Sequence, residues 1–160
     1  MEVAIPQHTL CTSDILNYVD ILEIPNFSGV KMRDELKGKS KPLECGIINL
    51  NTSAEKGSHW TAYYCSNSVR YHFDSFGEPP PIELLKYLKS NVEYSKNIPA
   101  LKRSALTVQH DKSSECGGLC LFVLKSLSMG IPFPDIIVFL DNRYHRLPTD
   151  VLKIVVSGEN

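Results

Sequence analysis

Apolar residues recur at helical spacing near the start of the chain. Ile15, Leu16, Val19 and Leu22 fall three or four apart, which marks one face of an α-helix. Thr12 or Ser13 can cap its start, and Pro25 ends the pattern. Asn26–Pro42 is polar and carries Gly29 and Gly38, so it reads as a long loop. The period then changes. Cys45–Leu50 is a short Ile-rich run expected to be a strand, and Asn51–Ser58 is a turn. Trp60–Cys65 and Val69–Phe73 are rich in aromatic and β-branched residues. With the turn-like Ser66-Asn67-Ser68 between them, they predict a hairpin. Glu78-Pro79-Pro80-Pro81 is a rigid turn. A helix with Ile82, Leu84, Leu85 and Leu88 follows, with Pro at its first position. Ala105–Gln109 reads as a brief strand.

Cys116 opens a strongly apolar helix through Leu119, Leu121, Phe122, Leu124 and Leu127. Gly130 closes it, and Pro132 cannot continue it. Two further helical pieces are expected around Asp135–Leu140 and Asp150–Val156. This order predicts an α+β fold: a mostly antiparallel sheet packed against a central helix that starts at Cys116, flanked by further helices.

Composition narrows the function classes. With 160 residues, 42% of them hydrophobic, the chain is expected to be one domain over 1–160, and a monomer. A formal net charge of −1 calls for neither nucleic acid nor an anionic membrane. The basic run Lys31, Arg33, Lys37, Lys39, Lys41 is interrupted by Asp34 and Glu35, and reads as a solvated face. No apolar stretch approaches the roughly 20 residues that span a bilayer. Met1–Leu10 lacks a basic segment followed by an apolar one, so a cytosolic or nuclear location is expected, not secretion. The five scattered cysteines are expected to be thiols there. None forms a CxxC pair, which argues against structural zinc. No cofactor or metal is expected.

Chemistry concentrates at Cys116. It follows a polar loop and heads an apolar helix, and a helix N-terminus stabilises a thiolate. Gly117 and Gly118 remove side chains beside the sulfur, so a substrate backbone can approach. Each costs about 1 kcal/mol relative to Ala in a helix, a cost that access would offset. Taken alone, Cys116 also reads as a small core residue, and for Cys120 the core reading is the better one. A thiolate needs an imidazole base. Among five histidines, His59 stands where a Gly-containing turn meets a strand, rigid yet open to a cleft. Asp74 closes the second hairpin strand and can orient His59, or it can simply form the turn. Gln109, shortly before Cys116, can donate to an oxyanion or be a surface residue.

The pattern GSHWTAYY … YHFDSFG … TVQ … ECGGLC resembles the adenovirus endopeptidase family. The match is best to the shorter proteases of Polinton/Maverick elements, adintoviruses and virophages, where blocks such as NFSGVKMRDEL, FDSFGEPPP and CGGLCLFVL are expected. SUMO- and ubiquitin-like proteases are more distantly similar. The resemblance runs from about Ser13 to Leu140 and implies a cysteine endopeptidase. His59 would be its base, Asp74 its orienting acid, Gln109 its oxyanion donor and Cys116 its nucleophile. Gly117 would contact substrate, and Trp60 would either wall the substrate channel or serve in the core.

The resemblance further implies cleavage of capsid and core precursors after small residues such as Gly. The place of action would be host cytoplasm or nucleus, with packaging in virions. An activating peptide stays open, and the charge balance gives no reason to carry over a DNA requirement. The adenoviral enzyme has Glu where this chain has Asp74. Three rival readings stand beside this one. The first is a modifier deconjugase using the same four residues, and the second a non-catalytic binding module. The third is a zinc protein using Cys116, Cys120, His59 and His72.

Overall fold

The aromatic and β-branched runs in the middle of the chain form the centre of a sheet in a computed structural model, which describes residues 1–54, 58–67, 69–90 and 100–157. Strand β1 (Glu2–Ala4), helix α1 (Thr12–Leu22) and strand β2 (Phe27–Met32) come first, then one 3-10 turn at Arg33–Glu35. The strands β3 (Leu43–Asn49), β4 (Trp60–Ser66) and β5 (Val69–Phe73) follow. After them come α2 (Ile82–Leu88), β6 (Ala100–Arg103), α3 (Cys116–Ser128), α4 (Phe133–Tyr144) and β7 (Lys153–Val155).

The main sheet has the order β2-β3-β4-β5-β6. Its middle pairings, β3 with β4 and β4 with β5, are antiparallel, while β2 and β6 join the two edges in parallel. β1 and β7 make a separate antiparallel pair. The expected α+β architecture, mostly antiparallel with a central helix starting at Cys116, is the one observed.

Side-chain alternation sorts the sheet's two faces. Cys45, Ile47, Ala62 and Phe73 face α3, whose Leu119, Cys120, Leu121, Val123 and Leu124 are all buried. A helix apolar on nearly every side belongs inside a protein. Ile48, Tyr63 and Cys65 point the other way, onto Leu84, Tyr87 and Leu88 of α2. Gly46 lies opposite Tyr63, and a Cβ there would stand 2.6 Å from the tyrosine ring. The glycine lets that ring lie across the strand, so its hydroxyl reaches Glu44 at 2.8 Å.

Five expectations need correction. Asn26–Pro42 is not all loop, since β2 and the 3-10 turn lie within it. Pairing with β3 supplies the order that local pattern lacks. Ala105–Gln109 forms no strand, although Val108 N–H donates to the Ser75 carbonyl at 2.8 Å. The edge strand is β6, just upstream. Asp150–Val156 contains β7 instead of a helix: Leu152, Ile154 and Val156 are buried while their neighbours are exposed, a period of two. Cys11, not Thr12 or Ser13, caps α1, and its N–H donates to the Asp14 carboxylate at 3.0 Å. Pro81 likewise sits one position before the helix, as N-cap of α2. Gly57 and Ser68, parts of two predicted turns, lie outside the described residues.

Candidate active site

His59 directly precedes β4, and the chain on both sides of it is tied down. Its carbonyl accepts from Leu50 N–H at 2.9 Å. The buried Asn49 side chain accepts from Ser58 N–H at 3.1 Å and from Asn51 N–H at 2.9 Å. Asp74 directly follows β5, which pairs with β4, so the two residues meet at one end of the sheet. His59 Nε2 lies 3.1 Å from Asp74 Oδ2, and Asp74 is fully buried there. The other carboxylate oxygen accepts from Phe76 N–H at 2.8 Å. The Phe76 ring stacks on the imidazole with centroids 5.0 Å apart. Both Asp74 oxygens are thus committed, and the imidazole is held by a hydrogen bond at its edge and an aromatic face.

Nδ1 is the nitrogen left over, and the Cys116 sulfur lies within hydrogen-bonding reach of the ring. Cys116 is half-buried at the first position of α3. Burial alone would push its thiol up. The hydrogen bond to His59, the N–H groups of Trp60 and Gly117 and the charge of His59 outweigh burial and hold it below its ordinary value. Burial likewise works against a charged His59. Hydrogen bonds and charge from Asp74 and Cys116 overcome it and raise the imidazole to about 9. Both shifts favour a thiolate–imidazolium pair.

Gln109 is buried, and its amide orientation is fixed chemically. Nε2 lies 2.9 Å from the Ser113 carbonyl, which can only accept, so that end must be the NH2 group. The Ser75 hydroxyl donates to Oε1 at 2.5 Å. One N–H of the amide is therefore used, and the second has no partner among the described residues. A cleft of about 630 Å³ is lined by His59, Trp60, Gln109 and Cys116, with Leu10 and Phe76 among its walls.

Three of the four predicted residues, His59, Gln109 and Cys116, thus line one cleft, and Asp74 lies buried behind His59. Trp60 lines it too, but is mostly buried, and its Nε1 donates to the Leu10 carbonyl at 2.9 Å. Gly117 and Gly118 do not open the sulfur to solvent, contrary to the expected reason for them. A Cβ on Gly117 would press on Leu10 at 3.1–3.3 Å, and one on Gly118 would overlap the Pro6 carbonyl. They let the N-terminal segment lie directly on α3. What Gly117 brings to the sulfur is its N–H.

His110 stacks on Tyr144 at 4.4 Å, and its Nε2 lies 3.1 Å from the Tyr144 carbonyl. His72 is buried on β5, opposite Tyr63. Cys120 is buried beneath the carbonyl of Trp60, 3.4 Å away. Among the described residues, no group of three or more His, Cys, Asp and Glu side chains is placed to hold a metal ion.

Several supporting residues escaped the sequence. Ser75 and Phe76 sit inside the FDSFG block, which was the available signal. Glu115, next to the sulfur in sequence, is buried and paired with Arg143 of α4 at 2.7 Å. That pairing directs a negative charge away from the thiolate and ties the start of α3 to α4. No local pattern announces it.

No family model matches the chain, and no curated protein does. Solved structures do. The chain is similar to the SUMO protease Ulp1, in a structure whose catalytic cysteine is oxidised to a sulfinic acid. Identity is 19% and the TM-score 0.50, over 84% of this chain and 75% of that one. It is also similar to the ASFV pS273R protease, at 19% identity and a TM-score of 0.48, over 62% of this chain. It spans 39% of that protease's length. The fold is therefore of the SUMO-protease type, and more particularly Ulp1-like.

Proposed function

We propose that this chain is a cysteine endopeptidase. The observation that carries the reading is the convergence of Cys116, His59 and an oriented Gln109 amide in one cleft, with Asp74 hydrogen-bonded behind His59. The Cys116 thiolate attacks a peptide carbonyl. The second amide N–H of Gln109 and the Cys116 backbone N–H hold the oxyanion. His59 protonates the departing amine and then draws a proton from the water that releases the acyl group, while Asp74 keeps Nδ1 directed at sulfur. The substrates are precursor proteins of the capsid or core of a DNA virus or virus-like transposon, cut after small residues such as Gly. This part of the reading rests on the sequence blocks resembling Polinton, adintovirus and virophage proteases.

A modifier deconjugase is the second reading, favoured by the likeness to a SUMO protease. Incubation with the capsid precursors encoded beside the gene, and separately with SUMO and ubiquitin precursors, decides between them. Cuts in capsid precursors that vanish with Cys116→Ala support maturation. Processing of the modifiers alone supports deconjugation. No cleavage of either, with Cys116 alkylated by iodoacetamide no faster than the buried cysteines, refutes both.

A further inference from the structure

Three of the five cysteines are buried and two are not. Cys45, Cys65 and Cys120 are buried. Burial pushes the first two up to about 12 and the third well above its ordinary value. Such thiols are poor nucleophiles. Cys116 is half-buried at the site. Cys11 is exposed, and it lines the same cleft as Cys116. The two are brought together by their neighbours in sequence. Leu10 packs on Gly117, with its Cδ1 and Cβ 3.1 and 3.3 Å from the position a Cβ would take. Trp60 Nε1 fastens the Leu10 carbonyl beside them. Each cysteine is one residue away from that contact. Cys11 Sγ lies 3.1 Å from Ser13 Oγ, at the start of α1. The segment before it, between β1 and α1, has no helix or strand ladder to resist adjustment.

We propose that Cys11 is a resolving thiol for Cys116, closing a reversible disulfide across the cleft once a hydroperoxide has oxidised the Cys116 sulfur. The inference rests on the reading of Cys116 as a reactive thiolate. In the first step the thiolate attacks the hydroperoxide. An S–O bond forms, the O–O bond breaks, and the peroxide leaves as hydroxide or alkoxide; sulfur gives up two electrons. In the second step the Cys11 sulfur attacks the sulfenic acid. The S–S bond forms, and the hydroxyl leaves with the Cys11 proton as water. The disulfide shuts the cleft and spares Cys116 from sulfinic acid, from which ordinary thiols cannot recover it.

The test treats the wild-type chain and Cys11→Ser with hydrogen peroxide. Each is compared with its own unoxidised state by non-reducing peptide mapping and by iodoacetamide labelling of Cys116 after dithiothreitol. Serine at position 11 keeps an N-capping side chain on α1. The wild type is expected to yield a Cys11–Cys116 linked peptide and to recover its labelling on reduction. Cys11→Ser should accumulate sulfinic acid at Cys116, with a recovered fraction lower by about tenfold. A wild type that reaches sulfinic acid as fast as the variant, without the linked peptide, overturns the resolving role and leaves the nucleophile reading intact. A Cys116–Cys120 link overturns it in the same way. A Cys116 that peroxide and iodoacetamide both leave untouched overturns the nucleophile reading as well.

Discussion

Replacing Asp74 with Asn separates an acid that orients His59 from one that only closes a turn. The carboxylate accepts two hydrogen bonds at once, from His59 Nε2 and from Phe76 N–H. An amide has one acceptor oxygen, so Asn must give up one of them. If the oxygen turns to His59, an NH2 group opposes Phe76 N–H, and a lost partner of this kind costs about 1–3 kcal/mol. If the oxygen stays with Phe76, the NH2 faces Nε2. That nitrogen must then accept, and the ring proton moves to Nδ1, the position needed to take a proton from Cys116. The second arrangement keeps the turn and spoils the base.

The magnitude follows from the imidazole. It is raised from 6.5 to about 9, with Asp74 and Cys116 jointly overcoming burial. That interval is worth about 3 kcal/mol in favour of the imidazolium. If Asp74 supplies half, its loss costs roughly tenfold in the ion pair. The tautomer adds to this, and kcat/KM should fall on the order of 10 to 10³. That is less than the about 10⁴ seen for the matching change in a serine protease, because a thiolate needs less help than a hydroxyl. The assay is turnover of a Gly-Gly-containing peptide, with the pH profile of Cys116 alkylation and a thermal melt. The alkylation midpoint should move to higher pH. An Asn variant with wild-type turnover and an unmoved alkylation profile would refute the reasoning.

Other residues make separate demands. Gln109→Ala should lower kcat by about 10²–10³, as loss of an oxyanion donor does; equal loss from Ser75→Ala in the same peptide assay would mean that orienting the amide matters as much as having it. Gly118→Ala should destabilise the chain by about 1–3 kcal/mol through overlap with the Pro6 carbonyl, and a urea midpoint equal to wild type would show that the N-terminal segment does not lie on α3. His72 is held neutral: burial chiefly, with Arg103 and His59, lowers it from 6.5 to about 4 against the pull of Asp74. Its folded value lies below its unfolded one, so stability is complete above pH 6.5 and is lost as pH falls through about 4, by about 3 kcal/mol. Urea melts along that range should show the loss in wild type and a much shallower one in His72→Leu.

What the sequence revealed follows the range of the forces involved. The hairpin of β4 and β5 and the helices α1 and α3 were legible because each is announced within a few positions by a period or a turn, and the nearness of His59, Asp74, Gln109 and Cys116 was suggested only by the order of the blocks that hold them. β2 was not. Phe27–Met32 is an edge strand, only partly buried, with Gly29 at φ 141° and a register shift between Phe27 and Val30. Its order comes from a parallel partner with no hairpin to advertise it. β7 was misread for a related reason. Leu152, Ile154 and Val156 alternate cleanly, but the partner strand β1 lies at the opposite end of the chain.

The glycines beside Cys116 show the limit most clearly. A missing side chain next to a reactive sulfur looks like room for substrate, yet the space belongs to Leu10, Pro6 and Ile5. Sequence can show that a side chain must be absent, while only the fold shows what approaches in its place. Here the approaching segment also delivers Leu10 and Cys11 to the wall of the cleft. The N-terminal strand pair therefore bears on the reactive centre, although no residue of β1 or β7 lines it. Both strands, with Ile5 N–H bonded to the Leu152 carbonyl at 2.7 Å, fix where Pro6–Cys11 begins its path across α3. Weakening that pair should loosen one wall of the cleft while leaving His59, Asp74 and Gln109, which are held by the main sheet and its loops, in place.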